Sequence, residues 1–235
     1  ILYNGYEWRG NVKIGDTRMR QVFAALNGEM KGRMFDAEHD ERGLDFSAAQ
    51  QGQARLLAVQ PAYVRAGSEV ELTLVGSGLQ GSAQLGAGLE VVKVLEATPT
   101  QVRLRVKAAA TAAPGRRSVV LGDLGGVDLA VYKDIAEVKV VPAFSIARVG
   151  ENGGSTPKVQ GRFEAEAWGR DGEGQPYRIG YLPAKWSVQP FDERAREDED
   201  VKFAGQMQKD GVFVPGAAGP NPQRKMMTNN AGNLK

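Results

Sequence analysis

Short runs in which apolar and polar residues alternate one by one, cut apart by glycine and proline, dominate this chain, and no long helical period appears. A strand sends successive side chains to opposite faces. A period of two with frequent turn residues therefore reads as antiparallel strands in sandwiches or barrels. The 30 glycines and 11 prolines supply the punctuation. The expected fold class is all-β: an antiparallel β-barrel or sheet fragment followed by two immunoglobulin-like β-sandwiches. The expected domains are residues 1–54, 55–142 and 143–235, the last truncated at its C-terminus.

In the first segment the even positions Leu2, Tyr6, Trp8, Val12 and Ile14 form an aromatic-rich buried face, against Glu7, Arg9, Asn11 and Lys13. Asn27-Gly28 suits a type I′ hairpin turn, because both residues tolerate positive φ. A two-residue loop there puts Phe23 and Ala25 on one face with Met30 and Met34, and sends Glu29, Lys31 and Arg33 to the other with Val22 and Leu26. The polar stretch from Ala37 to Gln53 reads as loop. Four strands do not close a barrel, so this segment reads as the tail of an antiparallel domain.

The second segment carries strands at Leu56–Gln60, around Val64, and at Val70, Leu72 and Leu74. Further strands follow at Val102, Leu104 and Val106, at Ser118–Leu121, at Val127–Tyr132 and at Val138–Val141. Short strands at this density suggest an immunoglobulin-like sandwich. Ala108–Ala113 reads as loop. In the third segment Val159, Phe163, Ala165 and Ala167 face inward. Tyr181–Val188 reads as a strand carrying Trp186, and Val212–Val214 as a short one. Ile1-Leu2-Tyr3 reads as a strand already under way, and the end follows a loop-like Thr-Asn-Asn-Ala-Gly, so both ends are expected to be cuts in a longer protein.

Composition excludes several chemistries. With no cysteine there is no disulfide, no Cys-ligated zinc, no thiol nucleophile and no haem attached through C-x-x-C-H. The single histidine, His39, leaves no multi-histidine metal site. A net charge of +2 argues against a nucleic-acid or anionic-membrane partner. No apolar run is long enough to span a membrane.

Each remaining candidate has an ordinary reading beside the chemical one. His39, among Asp36, Glu38, Asp40 and Glu41, could act as a base or metal ligand, yet reads as a charge-balanced surface whose acids raise the imidazole pKa. The run Asp192–Asp200 lacks the ligand spacing and central glycine of an EF-hand and reads as a solvated loop or partner-facing surface. Gly150–Ser155 lacks the phosphate-loop pattern and reads as a connector. Trp8 and Trp186 read as core. Trp168 has even parity on a strand whose odd positions face inward, so it is expected to be exposed and is the one candidate interface residue. No catalytic, cofactor-binding or metal-binding residue is expected.

Four stretches carry a family resemblance. They are Leu2-Tyr3-Asn4-Gly5-Tyr6-Glu7-Trp8-Arg9-Gly10, Phe35-Asp36-Ala37-Glu38-His39-Asp40-Glu41-Arg42-Gly43, Gly153-Gly154-Ser155-Thr156-Pro157-Lys158-Val159-Gln160-Gly161-Arg162-Phe163, and Tyr181-Leu182-Pro183-Ala184-Lys185-Trp186. In that order they resemble the non-haem part of the α subunit of quinohemoprotein amine dehydrogenase. The resemblance implies a periplasmic heterotrimer that oxidatively deaminates primary amines. It implies a β-propeller partner, a small partner bearing cysteine tryptophylquinone, and haem c in an N-terminal region of the α subunit. This chain would then be the end of the β domain plus two immunoglobulin-like domains, serving assembly. Two other classes stay open: an immunoglobulin-like adhesion or carbohydrate-binding module, and a stand-alone hydrolase centred on His39.

Overall fold

The computed structural model describes residues 1–15, 17–37, 40, 43–151 and 156–235. His39 and Gly153–Ser155 lie outside the described residues. The chain divides into two compact units, residues 1–138 with 167–180, and residues 139–166 with 181–235.

The first unit opens with a five-stranded antiparallel meander: β1 (Leu2–Tyr3), β2 (Trp8–Ile14), β3 (Thr17–Leu26), β4 (Glu29–Asp36) and β5 (Gly43–Ala49). Asn27 (φ 51°) and Gly28 (φ 74°) form the two-residue turn between β3 and β4. Both positive values are what a primed turn demands and what matches the strand twist. Pairing Ala25 with Met30 and Gln21 with Met34 puts the expected residues on one face. Two readings fail here. The stretch taken as loop contains β5, whose Leu44, Phe46 and Ala48 pair with Met34, Gly32 and Met30. The even-position face also breaks at the first turn. Asn4 Oδ1 accepts from the amides of Tyr6 and Glu7, making a tight Asx turn. The turn switches parity, so Tyr3 pairs with Trp8, Leu2 joins Arg9 on the opposite face, and Tyr6 is 89% exposed.

Eight strands then build a two-layer sandwich. One layer runs β10 (Leu89–Ala97), β11 (Gln101–Ala108), β8 (Glu69–Ser77), β6 (Arg55–Gln60); the other runs β7 (Tyr63–Arg65), β13 (Leu124–Tyr132), β12 (Gly115–Leu121), β9 (Ala83–Gln84). The chain leaves β6 in one layer and enters β7 in the other, where β7 pairs parallel with β13. Leu72, Leu74, Leu104, Val106, Val119, Leu121, Leu129 and Val131 fill the space between the layers at 0–1% exposure. Each contributes about 1.5–3 kcal/mol relative to full exposure. Strands β9 and β10 are additions to the sequence reading. Register shifts between Val91 and Lys93 and between Val94 and Glu96 break the alternation of β10.

Strand β14 (Glu137–Val141), counted with the second segment in sequence, is hydrogen-bonded into a three-stranded sheet with β16 (Glu164–Arg170) and β17 (Pro176–Tyr181). The strand expected at Tyr181–Val188 lies earlier, as β17. Beyond Tyr181 the chain is irregular, and Pro183 removes a ladder donor there.

The second unit contains β15 (Gly161–Arg162), β19 (Val212–Pro215) and β18 (Gly205–Met207) in one sheet. The acidic run expected as loop is two short helices, α1 (Glu193–Glu197) and α2 (Asp200–Phe203). Asp192 caps α1, its Oδ1 accepting from the Ala195 amide at 2.8 Å. Capping and an acidic first turn explain why so charged a stretch becomes helical.

Candidate interaction surfaces

Among the described residues no group of three or more acidic, histidine or cysteine side chains is placed to hold a metal. No described helix is long and apolar enough to cross a membrane. The features with recognisable chemistry are an aromatic sheet face, an ion-pair ladder, a buried tyrosine and a buried ion pair.

The aromatic face lies on the first sheet. Ring centroids run from Tyr3 to Trp8 (4.6 Å), Trp8 to Phe23 (6.4 Å) and Phe23 to Phe46 (6.3 Å). Gly32 sits between Phe23 and Phe46 in register. A Cβ at Gly32 would lie 2.5 Å from Phe23 Cβ and 2.7 Å from Phe46 Cζ. The absent side chain is what lets the two rings close over β4. Trp8, read as core, keeps 39% of its surface, and no described residue of 1–55 is fully buried.

On the outer face of the sandwich Glu71 receives Arg105 at 3.0 Å and Arg103 at 3.1 Å, while Glu69 and Glu96 flank the same arginines. The Arg105 and then the Arg103 hydrogen bonds hold the Glu71 carboxyl below the ordinary carboxylate range. All five side chains are wet, so the ladder orders the surface more than it stabilises the fold.

Strand parity points Trp168 to the exposed face. It is half-buried instead, and its carbonyl accepts from the Ala136 amide at 2.8 Å. Parity correctly puts Ala165 and Ala167 inside. It cannot tell that the opposite face is partly covered. Tyr177, on β17, is 8% exposed and donates its hydroxyl to the Val131 carbonyl at 2.6 Å. Burial pushes its phenol above the ordinary value. Gly169 makes room for it, since a Cβ there would come within 2.8 Å of the hydroxyl.

In the second unit Asp200 (4% exposed) and Arg224 (7%) form a buried pair at 2.6 Å. Arg224 also donates to the carbonyls of Asp198, Asn229 and Ala231, and its guanidinium lies 5.5 Å from the Phe203 ring centre. The second Asp200 oxygen accepts from the Asn233 amide at 2.8 Å. Gly232 permits that approach; a Cβ would lie 2.5 Å from the Asp200 carboxyl carbon. Every carboxylate oxygen is engaged, so the pair fastens the segment 228–235 onto α2 and has no free oxygen for a substrate. Trp186, read as a strand residue in a core, packs from an irregular segment onto Phe163, ring centres 6.5 Å apart.

These features define an all-β chain of several antiparallel sheets. The sequence matches three successive models of one family: residues 1–51 domain II, residues 53–133 domain III and residues 138–235 domain IV of the quinohemoprotein amine dehydrogenase alpha subunit. The chain belongs to that family. No curated protein matches it. Among solved structures it is similar to domains 4–9 of the surface layer protein SbsC, with 10% identity, a TM-score of 0.23, 84% of this chain covered and 32% of that one. The chain thus spans about a third of the length of that structure.

Proposed function

We propose that this chain is the structural and assembly portion of an amine dehydrogenase α subunit in the periplasm. The single observation that carries the reading is the match to domains II, III and IV in order along nearly the whole chain. The whole enzyme deaminates primary amines oxidatively. In this reading these domains hold the haem-bearing region against a β-propeller subunit and a small subunit bearing cysteine tryptophylquinone. The residues present do not fit either redox group. Covalent haem and the quinone both need cysteine, and there is none; paired histidine ligation needs more than one histidine. No electron-transfer step is therefore derived through this chain. Its contribution is geometric, because electron transfer requires centres held close and fixed.

Trp168, partly buried, remains a contact candidate. The test is co-expression of the α subunit with its two partners, with and without residues 1–235. Loss of co-purification on deletion is expected. An α subunit that assembles and turns over normally without them sinks the proposal.

A further inference from the structure

The polar face of the first sheet carries a second surface, unrelated to the aromatic one. Cross-strand register sets its rows. Arg9 faces Val22, Asn11 faces Arg20, and Lys13 faces Arg18. Arg20 in turn faces Phe35 on β4, and Leu2 faces Arg9 on β1. Arg9, Asn11, Arg20, Leu2, Val22 and Phe35 line a shallow hollow of about 290 Å³.

The charges on this face are unevenly compensated. Arg9 pairs with Glu7, Lys31 with Glu29 and Arg33 with Asp45. Arg18 and Arg20, neighbours on one face of β3, are exposed and make no ion pair with a described residue. Two guanidinium groups beside an apolar floor match carboxylates carried next to aliphatic or aromatic side chains. A guanidinium binds a carboxylate through two parallel hydrogen bonds, which a point charge does not reproduce. Nucleic acid is a poorer match. It is held by many phosphate contacts, and among the described arginines of this face Arg18 and Arg20 alone make no ion pair with a described residue.

We propose that this hollow and the stretch of β3 beside it dock an acidic segment of a protein partner, one carboxylate on Arg20 in the hollow, another on Arg18 next to it, and an adjoining apolar side chain against Val22 and Phe35. The surface does not depend on the assembly role. A failed co-purification would leave it standing, and its own failure would leave the assembly role standing.

The probe is a short fluorescein-labelled peptide alternating Glu with Leu, titrated with the full chain by anisotropy. Saturable binding is expected, weakened at least about tenfold in an R18E/R20E double variant. An R18Q/R20Q variant, which keeps the strand length and polarity, should weaken it less, and K93E/K107E on the sandwich should leave it unchanged. Equal melting temperatures of the variants and the parent exclude a folding artefact. Binding untouched by R18E/R20E overturns the proposal. So does equal affinity for an oligothymidylate or an all-Glu peptide, which would show diffuse charge alone.

Discussion

Replacing Tyr177 with phenylalanine removes one oxygen and leaves the ring. That oxygen donates a 2.6 Å hydrogen bond to the Val131 carbonyl from a side chain only 8% exposed. Losing a buried hydrogen bond while its acceptor stays desolvated costs about 1–2 kcal/mol. For a domain of this size that lowers the melting temperature by roughly 5–10 °C. A second signature appears at alkaline pH. Burial raises the Tyr177 phenol above its ordinary value, so the folded chain holds the proton longer than the unfolded chain. The resulting stability is complete below the unfolded value. It is lost as pH rises from there through the folded value. Tyr63 is shifted the same way, by burial and then by Tyr132, so the variant should keep a reduced alkaline slope. Thermal melts at neutral pH and at a series of alkaline values measure both effects. A variant that melts with the parent, or whose alkaline slope superimposes on the parent's, refutes the claim that this hydroxyl ties β17 to β13.

Arg224→Met should destabilise the second unit by about 3–5 kcal/mol in urea titrations, because it strands the Asp200 carboxylate inside. Gly32→Ala should cost about 1–3 kcal/mol, since its Cβ would press on Phe23 and on the Val22 carbonyl, both 2.5 Å away. A red-shifted Trp8 emission at unchanged sandwich stability would localise that damage to the first sheet. Glu71→Gln should give only a slight loss that added salt abolishes. In the parent, the Glu71 contribution exists above the ordinary carboxylate value and fades as pH falls through its lowered one.

Alternation was readable wherever one face of a strand meets a core. Leu72, Leu74, Leu104 and Val106 are buried as their parity requires. The hairpin at Asn27-Gly28 was equally legible, because asparagine and glycine both tolerate the positive φ that the turn requires. Parity fails where the chain changes phase without changing composition. The Asx turn at Asn4 moved Leu2 to the wrong face, and the bulges in β10 hid that strand. Strand β5 did alternate, but Asp36–Arg42 before it and Gly52 after it made the whole stretch look like a loop. The Asp200–Arg224 pair was out of reach for another reason. Its partners lie 24 residues apart, and nothing local distinguishes Asp200 from the exposed acids beside it. Trp168 shows the same limit: the strand period assigns a face, while only the fold decides how far that face is covered.

The parallel pairing of β7 with β13 bears on how the sandwich would carry load. One strand lies near the start of this module and the other ends it. Tension applied through the flanking chain therefore pulls the two in opposite senses along their length. Tyr63, Val64 and Arg65 against Ala130, Val131 and Tyr132 are loaded in shear, together with the Ala66 amide on the Tyr132 carbonyl and the Ala130 amide on the Ala62 carbonyl. Bonds in shear must break together, whereas a hairpin pulled from its open end unzips one rung at a time. Force-driven unfolding follows that rate barrier and not the equilibrium stability. A sandwich built this way resists stretching even where its net stability is modest.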